Sequence, residues 1–191
     1  MQKSAHATAY QILQTAADRG NPRAQAELGH FYASTRHSLH NPKLAIVWYT
    51  KASNQGHSTA HLKLGQYYLF ETHETNRAIK HYQLAARRLP IAKTRLAFLY
   101  EHHQHPDKIK VFELYRDAAK DGEKHAQYEL AKHYHHGLNT KKDLAQAHHW
   151  YLQAAKNGMP CAQKAIGDLY KSGDYMKPNT RKAHHWYHKS S

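Results

Sequence analysis

Residues 126–158 read AQYELAKHYHHGLNTKKDLAQAHHWYLQAAKNG. The first half of this stretch places Ala126, Leu130 and Tyr134 at i, i+4 and i+8, which is one face of a helix. The second half places Ala147, Trp150, Tyr151 and Ala154 at i, i+3, i+4 and i+7, again a single helical face. Between the halves lies a loop with Gly137, ending at Asp143, a residue suited to cap the second helix. Gly158 follows the second helix, where a left-handed residue is wanted. The unit is therefore helix, loop, helix, turn.

The same two rows recur along the chain. The first helix repeats as Ala24, Leu28, Gly29, Tyr32; Ala60, Leu64, Gly65, Tyr68; Ala92, Leu96, Ala97, Tyr100; and Ala162, Ile166, Gly167, Tyr170. The second repeats as Ala45, Trp48, Tyr49, Ala52; Ala78, His81, Tyr82, Ala85; Val111, Leu114, Tyr115, Ala118; and Ala183, Trp186, Tyr187, Ser190. Small Ala and Gly let helix backbones approach, and the large Tyr and Trp fill the space beside them. The second-helix row recurs every 33 to 36 residues. One such helix pair cannot bury its own apolar face, so neighbours must stack.

The punctuation agrees. Gly20, Gly56 and Gly122 share the register of Gly158, while Leu89 takes that slot in the third case. Pro22, Pro90 and Pro160 fall in the first turn of the next helix. Asn41, Glu74, Asp107 and Asn179 stand where Asp143 stands, and Glu74 is the poorest cap of the set. Residues 5–20 match a lone second helix, with Ala9, Ile12, Leu13 and Ala16 in the register of Ala45, Trp48, Tyr49 and Ala52. The expected architecture is all-α, an α/α superhelical solenoid forming a single domain over residues 1–191. It holds a partial repeat at 5–20 and five full repeats at 21–56, 57–89, 90–122, 123–158 and 159–191.

Composition narrows the function classes. The chain is 40% hydrophobic and 22% charged, which fits neither a disordered nor a membrane-embedded chain. No stretch approaches the roughly 20 apolar residues of a membrane helix. Met1-Gln2-Lys3 is not followed by the apolar core of a secretion signal. Cys161 is the only cysteine, so neither an internal disulfide nor a cysteine-based zinc site is possible. A cytoplasmic location is expected, or a periplasmic one if a signal has been removed. Lys and Arg number 28 against 14 Asp and Glu, a net charge of +14, and 20 histidines add to it on protonation. Such a surface favours anionic partners.

The rows are similar to the Sel-1-like repeat, a relative of the tetratricopeptide repeat, over residues 5–191. The fourth unit carries the resemblance best, with Ala126, Leu130, Tyr134, Gly137, Asp143, Ala147, Trp150-Tyr151, Ala154-Ala155 and Gly158. The fifth keeps Gly167, Tyr170, Gly173, Ala183 and Trp186-Tyr187. The third departs: it lacks Gly at 97, has Leu114 where Trp is usual, and is one residue shorter before Leu96, so an irregularity is expected there. The loops of the first three units lack the Gly seen at 137 and 173. The resemblance implies a superhelix that presents an inner groove to proteins. It implies an adaptor of the kind found in bacterial envelope assembly, secretion, virulence and signalling, and in eukaryotic protein degradation.

In that fold the first helix of each pair lines the groove, and its non-core positions carry specificity. His30, Lys63, Gln66, Arg95, Phe98, Lys132 and His135 are the resulting candidates. Lys63, Arg95 and Lys132 would meet an acidic segment of a partner protein, with an apolar anchor on Phe98. The opposing reading is that these are ordinary solvated helix positions.

Other patterns point less far. His184 and His188 at i, i+4, His133 and His136 at i, i+3, and the His102, His103, His105 cluster suggest metal, yet no carboxylate or thiol stands at fixed local spacing to complete a set. No metal or cofactor is expected; a response to mildly acidic pH through exposed histidines is. The basic clusters Arg87-Arg88, Lys108/Lys110, Lys141-Lys142 and Arg181-Lys182 lie at different points of the repeat, which disfavours a nucleic-acid stripe. No phosphate loop, nucleophile elbow or carboxylate pair marks an enzyme, and Cys161 reads as a buried or incidental thiol. Repeat arrays need polar caps, so the two ends point to a covering partner, to self-association or to a longer chain. The leading function is a non-enzymatic protein-binding adaptor, with an inhibitor or immunity-type binder as one form of it. The alternative is a module for polyanions such as glycan, lipid head group or nucleic acid.

Overall fold

The computed structural model describes residues 2–35, 39–102 and 107–190, with side chains from residue 10 onward. Every regular element among them is an α-helix, and the fold class is an all-α solenoid of helical hairpins. The chain divides into two compact units, Met1–Ala92 and Lys93–Ser191. Unit 1 holds α1 (Gln2–Asp18), α2 (Pro22–Ala33), α3 (Pro42–Asn54), α4 (Ser58–Phe70), α5 (Thr75–Ala86) and the opening residues of α6 (Pro90–Glu101). Unit 2 holds the rest of α6 with α7 (Lys108–Lys120), α8 (Lys124–His136), α9 (Leu144–Lys156), α10 (Pro160–Ser172) and α11 (Thr180–Ser190).

Each helix begins and ends for a local reason. Asn41, Asp107, Asp143 and Asn179 accept hydrogen bonds from backbone amides in the first turns of α3, α7, α9 and α11. Such caps contribute about 1 kcal/mol each. Glu74 makes no side-chain cap bond at α5. Gly20, Gly56, Gly122 and Gly158 all take left-handed φ, from +74° to +90°. Leu89, in the same slot, does not; there the turn closes by Leu89 N–H to Ala85 O at 2.9 Å. The α4–α5 loop, which lacks glycine, reverses with His73 at φ +55°.

In unit 1 the core gathers Leu28, Tyr32, Trp48, Tyr49 and Leu64 around Ala24, Ala45, Ala52 and Ala60. Each large side chain buried here contributes about 1.5–3 kcal/mol. A Cβ added at Gly29 would fall 2.5 Å from the Tyr49 ring, and one at Gly65 would fall 2.7 Å from the Tyr82 ring. The glycines are thus the seats of the second-helix tyrosines, and α2 and α4 approach α3 and α5 through them. Burial pushes the Tyr49 phenol up to about 12. Ile12, in the register of the buried Trp48, is 66% exposed.

Unit 2 uses the same scheme with substitutions. Ala97, Val111, Tyr115, Ala118, Ala126 and Leu130 form one cluster. Ala131, Ala147, Tyr151, Ala154, Ile166 and Tyr170 form another. Gly167 seats Tyr187 at 2.5 Å, whereas alanine fills the equivalent positions 97 and 131.

A second device holds three of the hairpins to their turns. It pairs the residue after the first-helix Ala with the residue three beyond the second-helix Ala. In unit 1, Gln55 Nε2 donates to Gln25 Oε1 at 2.8 Å, and Gln25 Nε2 donates to Ala17 O at 3.1 Å. In unit 2 the third repeat has Lys93 Nζ 2.6 Å from Asp121 Oδ2. The fourth has Asn157 Nδ2 donating to Gln127 Oε1 at 3.0 Å, with Gln127 Nε2 on Ala119 O. Gln25 and Gln127 are each only 5% exposed, so these amides need their partners.

Candidate functional site

The first helices place three of the seven candidate groove residues in one cleft of unit 1. His30 on α2 and Lys63 and Gln66 on α4 line an opening of about 590 Å³. Ile46 from α3 and Tyr67 and Phe70 from α4 supply its apolar wall, and Glu71 stands at its edge. Lys63, Gln66, Tyr67 and Phe70 fall at i, i+3, i+4 and i+7, so one stripe of α4 faces the cleft. The core stripe of Ala60 and Leu64 runs beside it. Phe70 is 59% exposed and shares the cleft with Ile46 and Tyr67. No ion pair of Lys63 is seen among the described residues, and the residue is half-buried at the cleft. Tyr67 and Phe70 escaped the sequence reading, which followed only the positions flanking the core row. The i+4 and i+7 steps from Lys63 would have found them.

The other four candidates belong to unit 2. Arg95 and Phe98 are exposed on α6. The Phe98 ring lies 4.2 Å from that of His102, whose Nδ1 donates to Phe98 O at 2.8 Å. Lys132 is not a free cation: its Nζ sits 2.6 Å from Glu129 Oε2 and 5.7 Å from the Tyr128 ring centre. His135 is half-buried, stacked on His136 and packed edge-on to Tyr151. Burial, with His136 and Lys142 nearby, lowers its pKa.

The histidines divide by environment rather than by spacing. His133 is 1% exposed, with Nδ1 donating to Leu138 O at 2.8 Å and Nε2 3.3 Å from Glu101 Oε1. Tyr115 OH donates to the other oxygen of Glu101 at 3.1 Å. The His133 bond, with help from Tyr115, holds the Glu101 carboxyl below the usual range against the opposing effect of burial. His133 is therefore a core residue and not half of a surface pair with His136. Burial also lowers the pKa of His61, His81 and His148, so these resist the protonation expected of exposed imidazoles. His184 and His188 are exposed on α11. His103 and His105 lie outside the described residues, and among those described no group of three metal-ligating side chains converges. Cys161 is exposed rather than buried. No described helix is long and apolar enough to cross a membrane.

These features place the chain among known proteins. It aligns with a Sel1 repeat protein from Oxalobacter formigenes at 28% identity and a TM-score of 0.84, covering 96% of this chain and 78% of that one. It aligns equally with a protective antigen of uropathogenic Escherichia coli, at 28% identity and a TM-score of 0.86 over 95% of this chain; it spans 40% of the antigen's length. An immunity protein from Pseudomonas aeruginosa shares the fold alone, at 18% identity and a TM-score of 0.62 over 95% of this chain and 72% of that one. No curated protein matches the chain. The family model described as Sel1 repeat matches residues 22–57, 58–88, 124–159 and 162–191, passing over the divergent third unit. By those four matches, which take in most of its length, the chain belongs to the Sel1 repeat family.

Proposed function

We propose that this chain is a non-catalytic scaffold that captures a protein partner, and that the α2–α4 cleft of unit 1 is a recognition site. The α4 stripe carries the reading: an exposed Phe70 and a half-buried Tyr67 stand beside Lys63 and Gln66 on one open cleft. Exposed aromatic and aliphatic side chains next to a cation are what an interface hot spot needs. The complementary ligand is an extended polypeptide segment that sets an apolar side chain against Ile46, Tyr67 and Phe70 and a carboxylate near Lys63. The net charge of +14 steers acidic segments toward it. Membership of a repeat-scaffold family supports the non-catalytic reading. A partner that is silenced by being bound, as an immunity-type protein would do, is one form of this function.

A second reading has its own observation. Lys51 lies 4.1 Å over the Trp48 ring in unit 1, and Lys189 lies 5.0 Å over the Trp186 ring in unit 2. Lysine cations held over tryptophan rings, the Trp48 ring itself buried, suit a polyanion. Salt separates the two, since polyanion binding falls steeply with ionic strength.

The test uses paired baits, the wild-type chain and a Lys63→Glu/Phe70→Ala chain, in host lysate treated with nuclease at moderate and high salt. A partner retained by the wild type at high salt, and bound at least about 10-fold more weakly by the variant, is the expected result. Equal retention by both baits removes the cleft from the function. Loss of all binding at high salt transfers the function to the positive surface.

A further inference from the structure

The hairpin-to-turn pairs described above are complementary in three repeats: Gln25 with Gln55, Lys93 with Asp121, and Gln127 with Asn157. In each, one member donates and the other accepts. The second repeat breaks the rule. Its two positions are His61, directly after Ala60, and Arg88, three beyond Ala85. A guanidinium has donors only, and the His61 ring turns its Nδ1 to His81, so no bond between His61 and Arg88 is seen among the described residues. Arg87 adds a second guanidinium at the same turn.

The structure leaves a recess at this place. Gly56, Ser58, His61, Leu84, Arg87 and Arg88 line a space of about 230 Å³ within unit 1. No carboxylate lines it. No ion pair of Arg87 or Arg88 is seen among the described residues, and both are exposed. His61 is 8% exposed, and its Nδ1 sits 3.1 Å from Nδ1 of His81, which fixes the ring against α5. Arg88 and Ser58 also border the adjoining shallow cleft of about 400 Å³, so the opening is reached from solvent on a second side. The first turn of α4 starts here, and its dipole adds to the positive field without being needed to create it.

We propose that this recess is a binding site for a tetrahedral oxyanion, a phosphate or sulfate group. The anion supplies the acceptor that the Gln, Asp or Gln side chain supplies in the other repeats. Its oxygens accept from the Arg87 and Arg88 guanidiniums and from the Ser58 hydroxyl, with the His61 ring behind them. Guanidinium pairs suit such groups because two parallel N–H donors match two oxygens. The volume admits one such group together with water, and the buried His61 ring lines it. The site is separate from the α2–α4 cleft and stands or falls without it.

The test follows thermal unfolding of the full chain against inorganic phosphate and sulfate, with chloride at matched ionic strength as the reference. Wild type should show a saturable rise in Tm with phosphate and sulfate beyond that with chloride. Arg87→Ala and Arg88→Ala, both at exposed positions, should each raise the half-saturating concentration about 10-fold. The double variant His61→Gln/Arg88→Gln recreates the Gln25–Gln55 pair; it should fold, gain stability without anion, and lose the phosphate-specific shift. An Arg181→Ala/Lys182→Ala control in unit 2 should respond like wild type. Titration with phenyl phosphate then separates the sources: a half-saturation at or below that of inorganic phosphate means that an ester-borne group fits, and a much weaker one restricts the site to the free ion. Equal phosphate response in wild type and the Arg variants, or a response no larger than that with chloride, overturns the proposal.

Discussion

Gly65→Ala tests whether the tyrosine seats set the packing of the repeats. The new Cβ would stand 2.7, 2.8 and 3.1 Å from Cε1, Cδ1 and Cζ of Tyr82. Carbon atoms in contact prefer about 3.5–4.0 Å, so the ring has to retreat by about 0.8 Å. Tyr82 is 0% exposed and is flanked by Ala78 and Ala85, which are equally buried, so no free space receives it. Overpacking of this kind costs about 1–3 kcal/mol. Alanine in a helix interior regains about 1 kcal/mol over glycine. The net expectation is a loss of about 1 kcal/mol, or roughly 5 °C in the Tm of a unit of this size. Ala131→Gly, in the same register of unit 2, removes a fully buried methyl and adds the glycine penalty. It should cost about 2 kcal/mol. Urea unfolding followed by helical circular dichroism measures both, and amide hydrogen exchange in α4 and α8 assigns each loss to its unit. Tyr82→Leu should reduce the penalty of Gly65→Ala in a double-mutant cycle. A Gly65→Ala chain that is stabilised by the full helix-propensity gain would refute the close-approach reasoning.

Two further outcomes rest on single groups. Glu101 and Glu123 in unit 2 both have folded pKa values below their ordinary range: Glu101 through His133 and Tyr115, Glu123 because bonds from Thr94, His125 and the Ala126 amide outweigh the opposing burial. Depressed carboxylates stabilise above their unfolded pKa and lose that contribution as pH falls through the folded value. The urea midpoint of unit 2 should therefore fall as pH drops below about 4.5, and Glu101→Gln/Glu123→Gln should flatten that dependence while lowering stability at neutral pH. An unchanged slope in the double variant would count against these two groups as its source. His73 holds a left-handed backbone that costs a side-chain-bearing residue about 1 kcal/mol, so His73→Gly should raise the urea midpoint, by about 0.5–1 kcal/mol in stability; a lowered midpoint would show that the imidazole itself supports the loop.

The fold was legible because each local signal repeats. Ala-to-Tyr and Ala-to-Trp spacings set helix faces, Asn and Asp set starts, and the turn glycines set stops, and all of them agree with the helices observed. What escaped was whatever depends on two faces meeting. Lys63 and Gln66 were readable as positions flanking the core row, and helical spacing could add Phe70, but only the structure shows that Ile46 of α3 lines the same cleft. Lys132 read as a free cation because its flanking position was weighed alone; Glu129, three residues earlier on the same helix face, neutralises it. His133 read as half of an i, i+3 pair, yet it is buried in the core, with Nδ1 donating to Leu138 O and Nε2 facing Glu101.

The pairs at the turns show why a repeat can hide its specificity in plain view. Each member looks like an ordinary polar residue near a core alanine, and nothing local ties Gln25 to Gln55 or Lys93 to Asp121. Only the register common to all repeats reveals that they are partners. Once it is known, the chemistry of the pair becomes a variable: amide with amide, ammonium with carboxylate, and in the second repeat imidazole with guanidinium. The first two are closed within the chain. The third supplies no carboxylate or amide oxygen, so the repeat that departs from the pairing rule, rather than the one that matches its family best, is where the anion is proposed to bind.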